Sequence, residues 1–306
     1  MTTPSSRLAT KIEQGVLIGD GAMGTMLFEA GLPLGHCPEL WNLEQAEAVE
    51  SISRSYASAG SLMVQTNTFG GSSVKLDVFG LGDRSVEINL SGARAARRGA
   101  GQETLVLGSI GPTGKLLEPL GDLSPDRAIQ SFREQAEALA EGGVDALLVE
   151  TMTDLGEALL AVRAASSTGL PVLATMTFER TPRGFFTIMG VSLAQMAKEL
   201  PLAGAFALGS NCGIGTETMV EIVAELRGLT EVPILVQPNA GLPTVTGGTL
   251  IYPETPEDMA AQLGSLIGAG ADMIGGCCGT APRHISQFVQ ALRQLEATGA
   301  GTKRCS

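Results

Sequence analysis

Eight short apolar runs, each followed by a stretch in which apolar residues recur at helical spacing among polar and alanine positions, succeed one another along this chain. The runs lie at residues 16–19, 62–66, 105–109, 146–150, 172–177, 205–210, 234–237 and 273–276. Most are continuously apolar, the pattern of parallel strands covered on both faces. The segments at 44–59, 84–98, 125–141, 155–167, 193–200, 217–227, 256–268 and 282–297 read as helices. Ser124 before Pro125, and Thr255 before Pro256 with Asp258 at the third position, are start signals, and Thr280 ahead of Pro282 is read the same way. Gly142, Gly169, Gly228 and Gly268 fall where helices end. Strand–helix alternation admits a closed barrel or an open doubly wound sheet, and the count of eight pairs favours the α/β (β/α)8 TIM barrel. No Pro/Ser-rich linker divides the chain, so one domain is expected over 1–306, with an N-terminal extension at 1–14 and a C-terminal tail at 298–306.

Composition narrows the partners. Hydrophobic residues make up 44% of the 306 and charged ones 17%, enough apolar side chain for a large core. A net charge of −12 without any basic run argues against nucleic acid and anionic membrane surfaces. The first residues lack the apolar stretch of a signal peptide and no later run is long enough to span a bilayer, so a cytoplasmic protein is expected. Five cysteines, two of them adjacent, make a poor disulfide framework and point to metal binding or catalysis.

In a barrel the chemistry gathers at the C-terminal ends of the strands. Those ends present Asp20, Gln65 with Thr66 and Asn67, Ser109, Glu150 with Thr151, Thr177, Asn211 with Cys212, Asn239, and Cys277 with Cys278. Cysteines at the ends of the sixth and eighth strands would lie within roughly 10 Å, close enough to share one ion. Three sulfur ligands leave the fourth position of tetrahedral zinc open, as a catalytic site requires. The competing reading makes Cys212, Cys277 and Cys278 small buried core residues, and another makes them a structural zinc site in a binding protein without catalysis. His36 and His284 are the only histidines, so an imidazole-rich site is excluded, and surface or capping roles are expected for them. Cys37 and Cys305 receive no role. Residues 19–24, Gly-Asp-Gly-Ala-Met-Gly, match a dinucleotide-binding turn, but the second strand ends in Gln65, Thr66 and Asn67 rather than an acidic residue, so a nicotinamide enzyme ranks third.

Together these residues resemble the homocysteine S-methyltransferase family, in particular the homocysteine-binding module of cobalamin-dependent methionine synthase. The resemblance rests on GDGAMGTML at 19–27, QTNTFG at 65–70, GSIGPTG at 108–114, ET at 150–151, GSNCG at 209–213, PNAG at 238–241 and GGCCG at 275–279. It implies zinc on Cys212, Cys277 and Cys278, with homocysteine as the fourth ligand. It further implies that Asp20 and Glu150 hold the substrate amino group, that backbone N–H groups of Gly21, Ala22, Met23 and Gly24 receive its carboxylate, and that Gln65, Thr66, Asn211 and Asn239 also line the site. No protein side chain beyond the zinc-activated substrate thiol is expected to act as a catalyst. A thiol of pKa about 8.5 is mostly protonated at neutral pH, and zinc removes that obstacle before attack on a methyl carbon.

The chain ends soon after its eighth helix and lacks the D-x-H-x-x-G cobalamin-ligating motif, so the expected donor is a methyl-corrinoid on a separate protein. Betaine and S-methylmethionine are the alternatives. Both are cations that aromatic cages favour. Here Trp41, Tyr56 and Tyr252 are the only aromatic residues besides phenylalanine, and Thr151 stands where betaine enzymes carry an aromatic residue.

Overall fold

All eight apolar runs become strands of one parallel sheet in a computed structural model, which describes residues 6–246 and 249–298. They are β1 (Leu17–Ile18), β2 (Met63–Gln65), β3 (Leu105–Ile110), β4 (Ala146–Met152), β5 (Val172–Met176), β6 (Ala207–Asn211), β7 (Ile234–Gln237) and β8 (Met273–Ile274). From β2 to β8 each pairs in parallel with the next strand in sequence, and β1 pairs with β8. Leu62 N donates to Ile18 O at 2.7 Å beside the start of β2, linking it to β1 and bringing the sheet round into a (β/α)8 TIM barrel.

The two-residue period of the strands sorts their side chains into two cores. Leu17, Met63, Leu105, Leu107, Ala146, Leu148, Leu173, Ala207, Leu235 and Met273 form one cluster inside the barrel. Their neighbours Ile18, Val64, Val106, Leu147, Val149, Val172, Leu208, Val236 and Ile274 face outward into the larger cluster shared with the helices. Both sets are apolar, which is why the strands read as continuous runs. Gly209 belongs to the inward set, and a Cβ there would sit 1.6 Å from Leu235 O, so β6 and β7 approach only because the side chain is absent.

The expected extension holds a helix, Arg7–Gln14, whose Leu8 and Ile12 join the interior cluster and close the floor of the barrel. Arg7 pairs with Asp145 at 2.7 Å, and Arg97 holds the other oxygen of the same carboxylate. Residues 299–306, including Cys305 and nearly all of the expected tail, lie outside the described residues.

Helices 125–141 and 282–297 have the expected limits. Ser124 Oγ accepts from Arg127 N, and Thr255 forms a reciprocal capping box with Asp258. Three expectations are corrected. Thr280 does not cap the last helix; its hydroxyl donates to Cys277 O and accepts from Ala22 N, while His284 Nδ1 accepts from Ala281 N at the helix start. The helix expected at 256–268 breaks into Pro256–Ala261 and Leu263–Ala269, where Gln262 N turns back to Met259 O. Gly268 consequently lies inside a helix, and the left-handed Gly270 ends it. The alternation reading also passed over a short helix after β1, Met23–Glu29, and two antiparallel hairpins, Glu179–Thr181 with Gly184–Phe186 and Thr244–Thr246 with Thr249–Ile251.

Candidate functional site

The period that packs leucine inside the barrel carries polar side chains inside one step further on. Two residues beyond inward Met63, Leu107, Leu148, Leu173 and Leu235 come Gln65, Ser109, Glu150, Thr175 and Gln237, and four beyond Ala207 comes Asn211. Apolar layers thus fill the lower barrel and a polar layer roofs them. Above it opens a cavity of about 390 Å³.

Cys212, Cys277 and Cys278 form one wall of this cavity, with their sulfurs all within 4.8 Å of one another and Cys212 Sγ 4.0 Å from Cys278 Sγ. One stretch of backbone, from the last residue of β7 into the loop that follows, fixes all three. Cys212 N donates to Gln237 O at 3.0 Å, Cys277 N to Pro238 O at 2.8 Å, and Ala240 N to Cys278 O at 3.0 Å. Cys212 adopts φ 61°, a left-handed conformation that is uncommon outside glycine. Gly279, at φ 83°, lies under the Tyr252 ring so closely that a Cβ would come within 2.2 Å of it. The thiols perturb one another: Cys278 is held below its ordinary value by the S–H groups of Cys212 and Cys277, and Cys277 is pushed above it. Tetrahedral zinc with sulfur at about 2.3 Å spaces its ligands roughly 3.8 Å apart, so three soft sulfurs at the observed separations suit that ion.

Glu150 reaches the cavity from the end of β4 and is 7% exposed. One of its oxygens accepts from Ser109 Oγ and the other from Asn211 Nδ2 at 3.3 Å. Burial raises its pKa to about 7 despite the Ser109 hydrogen bond, and the charge of Asp20 pushes the same way. Asp20 accepts from Gln65 N at 2.6 Å and from Gln65 Nε2 at 3.3 Å, and burial lifts it also to about 7. Gln237 Oε1, in the cavity wall, and Asn239 Oδ1, behind it, are buried acceptors without a partner, and the first is open to a donor from a bound ligand.

Of the sequence-predicted residues, Gly21, Ala22, Met23, Gly24, Gln65, Thr66, Glu150 and the three cysteines line the cavity. Asp20, Asn211 and Asn239 sit behind its wall, each no more than 4% exposed. Ala22 N is already engaged by Thr280 Oγ1 at 3.1 Å, and Tyr56 Oη donates to the carbonyls of both Ala22 and Thr280, so the first and eighth loops are tied together. His36 is exposed and His284 buried. Cys37 lies in the core, donating to Glu39 Oε2 at 3.3 Å, and burial with the Glu39 charge pushes its thiol up to about 12. Glu39, Phe69 and Gln237 line the cavity without having been singled out. Gln237 was legible two places beyond inward Leu235, whereas Tyr252 was not, because it reaches Cys278 only through the return of a loop.

Residues 17–292 match the sequence profile of homocysteine S-methyltransferases. The chain belongs to the homocysteine S-methyltransferase family. It is 34% identical over 304 residues to the methionine synthase of Mycobacterium tuberculosis and 35% identical to that of Mycobacterium leprae. The match covers 93% of this chain and 25% of each relative, so the chain spans about a quarter of their length. Among solved structures, the metallated form of the homocysteine methyltransferase MmuM from Escherichia coli superposes with a TM-score of 0.76 at 25% identity, over 92% of this chain and 97% of that one.

Proposed function

We propose that this chain is a zinc-dependent homocysteine S-methyltransferase that takes homocysteine into the cavity with its sulfur toward Cys212, Cys277 and Cys278. The observation that carries the reading is the placement of three sulfurs within 4.8 Å of one another in the same cavity wall as a buried carboxylate, Glu150. Bound there, zinc would supply a Lewis acid that keeps the substrate thiol ionised at neutral pH. Glu150, with Asp20 behind it, receives the substrate ammonium, and the turn from Gly21 to Gly24 receives the carboxylate. Sulfur then forms a bond to the methyl carbon in line as the donor's bond to that carbon breaks, and no side chain of the chain needs to move a proton in that step.

A methyl-corrinoid carried on another protein is the donor we assign. Phe69 is the one aromatic side chain among the described residues lining the cavity, which is a poor cage for the cations betaine and S-methylmethionine. Trp41 is packed against the main core instead. The loops around the mouth expose Leu34, Val78, Leu116, Leu120, Ile188 and Leu242, an apolar rim that suits a macromolecular donor. Zinc-loaded protein should methylate homocysteine from a methyl-corrinoid protein and fail with betaine or S-methylmethionine; equal rates with either cation would overturn the donor assignment. Cys277→Ala should lose both metal and turnover while its circular dichroism stays that of the folded barrel, and full activity in that metal-free variant would end the zinc reading.

A further inference from the structure

The geometry points to Asn211 as a positioning residue that holds Glu150, the ammonium acceptor, in register with the zinc ligand Cys212. The inference rests on the proposed role of Glu150. Asn211 is fully buried and does not line the cavity, so it acts through its neighbours. Its Nδ2 donates to Glu150 Oε2 at 3.3 Å and to Thr151 Oγ1 at 2.7 Å, while its Oδ1 accepts from Thr151 N at 2.9 Å and from Thr175 Oγ1 at 2.7 Å. A single amide thereby cross-links the ends of β4, β5 and β6.

The backbone shows what this link constrains. Thr151 and Cys212 are the two non-glycine residues with positive φ among the described residues, at 60° and 61°. One directly follows Glu150 and the other directly follows Asn211. For a β-branched residue such as Thr151 that conformation is an outlier, held only where surrounding bonds determine it. Asn211 Oδ1 grips the Thr151 N–H at this turn, and its Nδ2 grips the carboxylate one residue earlier. The two turns that aim a substrate-binding carboxylate and a metal ligand therefore share one side chain.

The chemistry of the position is specific. It needs a donor toward a carboxylate and an acceptor toward a backbone N–H on adjacent atoms, which an amide offers. Aspartate keeps the acceptor but turns a second oxygen toward Glu150.

The test compares two thiols on the zinc-loaded chain by isothermal titration: homocysteine, and 4-mercaptobutanoate, which keeps the thiol and carboxylate without the amino group. The unaltered chain should prefer homocysteine. Asn211→Asp should keep its zinc and its affinity for 4-mercaptobutanoate while binding homocysteine about tenfold or more weakly, so that the preference collapses. Its KM for homocysteine should rise more than its kcat falls. Thr175→Val, which removes one anchor of the amide and keeps Nδ2, should lose preference in the same direction by a smaller factor, and decides the matter if Asn211→Asp does not fold. Unchanged preference in the folded variant, or parallel loss of zinc and of both thiols, would overturn the assignment. If the unaltered chain shows no preference, the reading of Glu150 as ammonium acceptor falls first, and this inference falls with it.

Discussion

Asp20 is held ionisable inside the barrel at an energetic disadvantage to the fold. Its carboxyl, like that of Glu150, is raised to about 7, chiefly by burial. An acid whose folded pKa exceeds its unfolded value binds more protons in the folded state, so its presence favours folding as pH falls from about 7 toward 4 and opposes it above 7. Asp20→Asn is therefore expected to stabilise the fold at pH 8 by on the order of a few kcal/mol, seen as a higher melting temperature, with the gain fading near pH 4. Thermal unfolding across that range checks it, and a gain that grew toward low pH would contradict the sign. The same protonation governs binding, because an ammonium needs charged acceptors. The KM for homocysteine should rise as pH drops below 7, and a flat profile down to pH 5 would count against both carboxylates. At this scale the cysteine trio and Glu150 were legible because clustered cysteines and polar strand ends break an apolar pattern. The contacts of Tyr252 and Thr280 were not, since each joins residues far apart in sequence.

Helix Arg7–Gln14 shows how much an element can do without touching the chemistry. Leu8 is fully buried against the lowest inward layer of the barrel, opposite end from the cysteines. Leu8→Ala should destabilise the fold by about 2–5 kcal/mol through lost burial and the cavity left behind, yet leave zinc content and homocysteine affinity unchanged in the folded protein. Denaturant unfolding paired with metal analysis separates the two effects, and a loss of zinc would show the floor and the site to be coupled. Strands and most helices were readable from local pattern, since period, caps and terminal glycines are short-range signals. The break at Gln262 and the hairpins after β5 and β7 escaped that reading, being short elements that local periodicity does not resolve.

For the whole molecule, closure of the sheet brings the loops after the strands to one end of the barrel, and five of them carry exposed apolar side chains. Leu120 is 72% and Ile188 76% exposed on separate loops, so a charge there disturbs no core. Leu120→Glu and Ile188→Glu should slow methyl transfer from a corrinoid protein several-fold while leaving homocysteine titration unchanged; undiminished transfer would place the donor elsewhere. The sequence by itself determined the strand and helix order, the barrel class, and which residue types stand at strand ends, because side-chain period and helix signals act over a few neighbours. Tertiary structure alone decided that Gln237 to Ala240 clasps all three cysteines, that Asn211 turns away from the cavity to hold Glu150 and Thr151, and that burial lifts two acids to about 7. Those outcomes depend on distances between strands and on removal from water, which exist only once the barrel has closed.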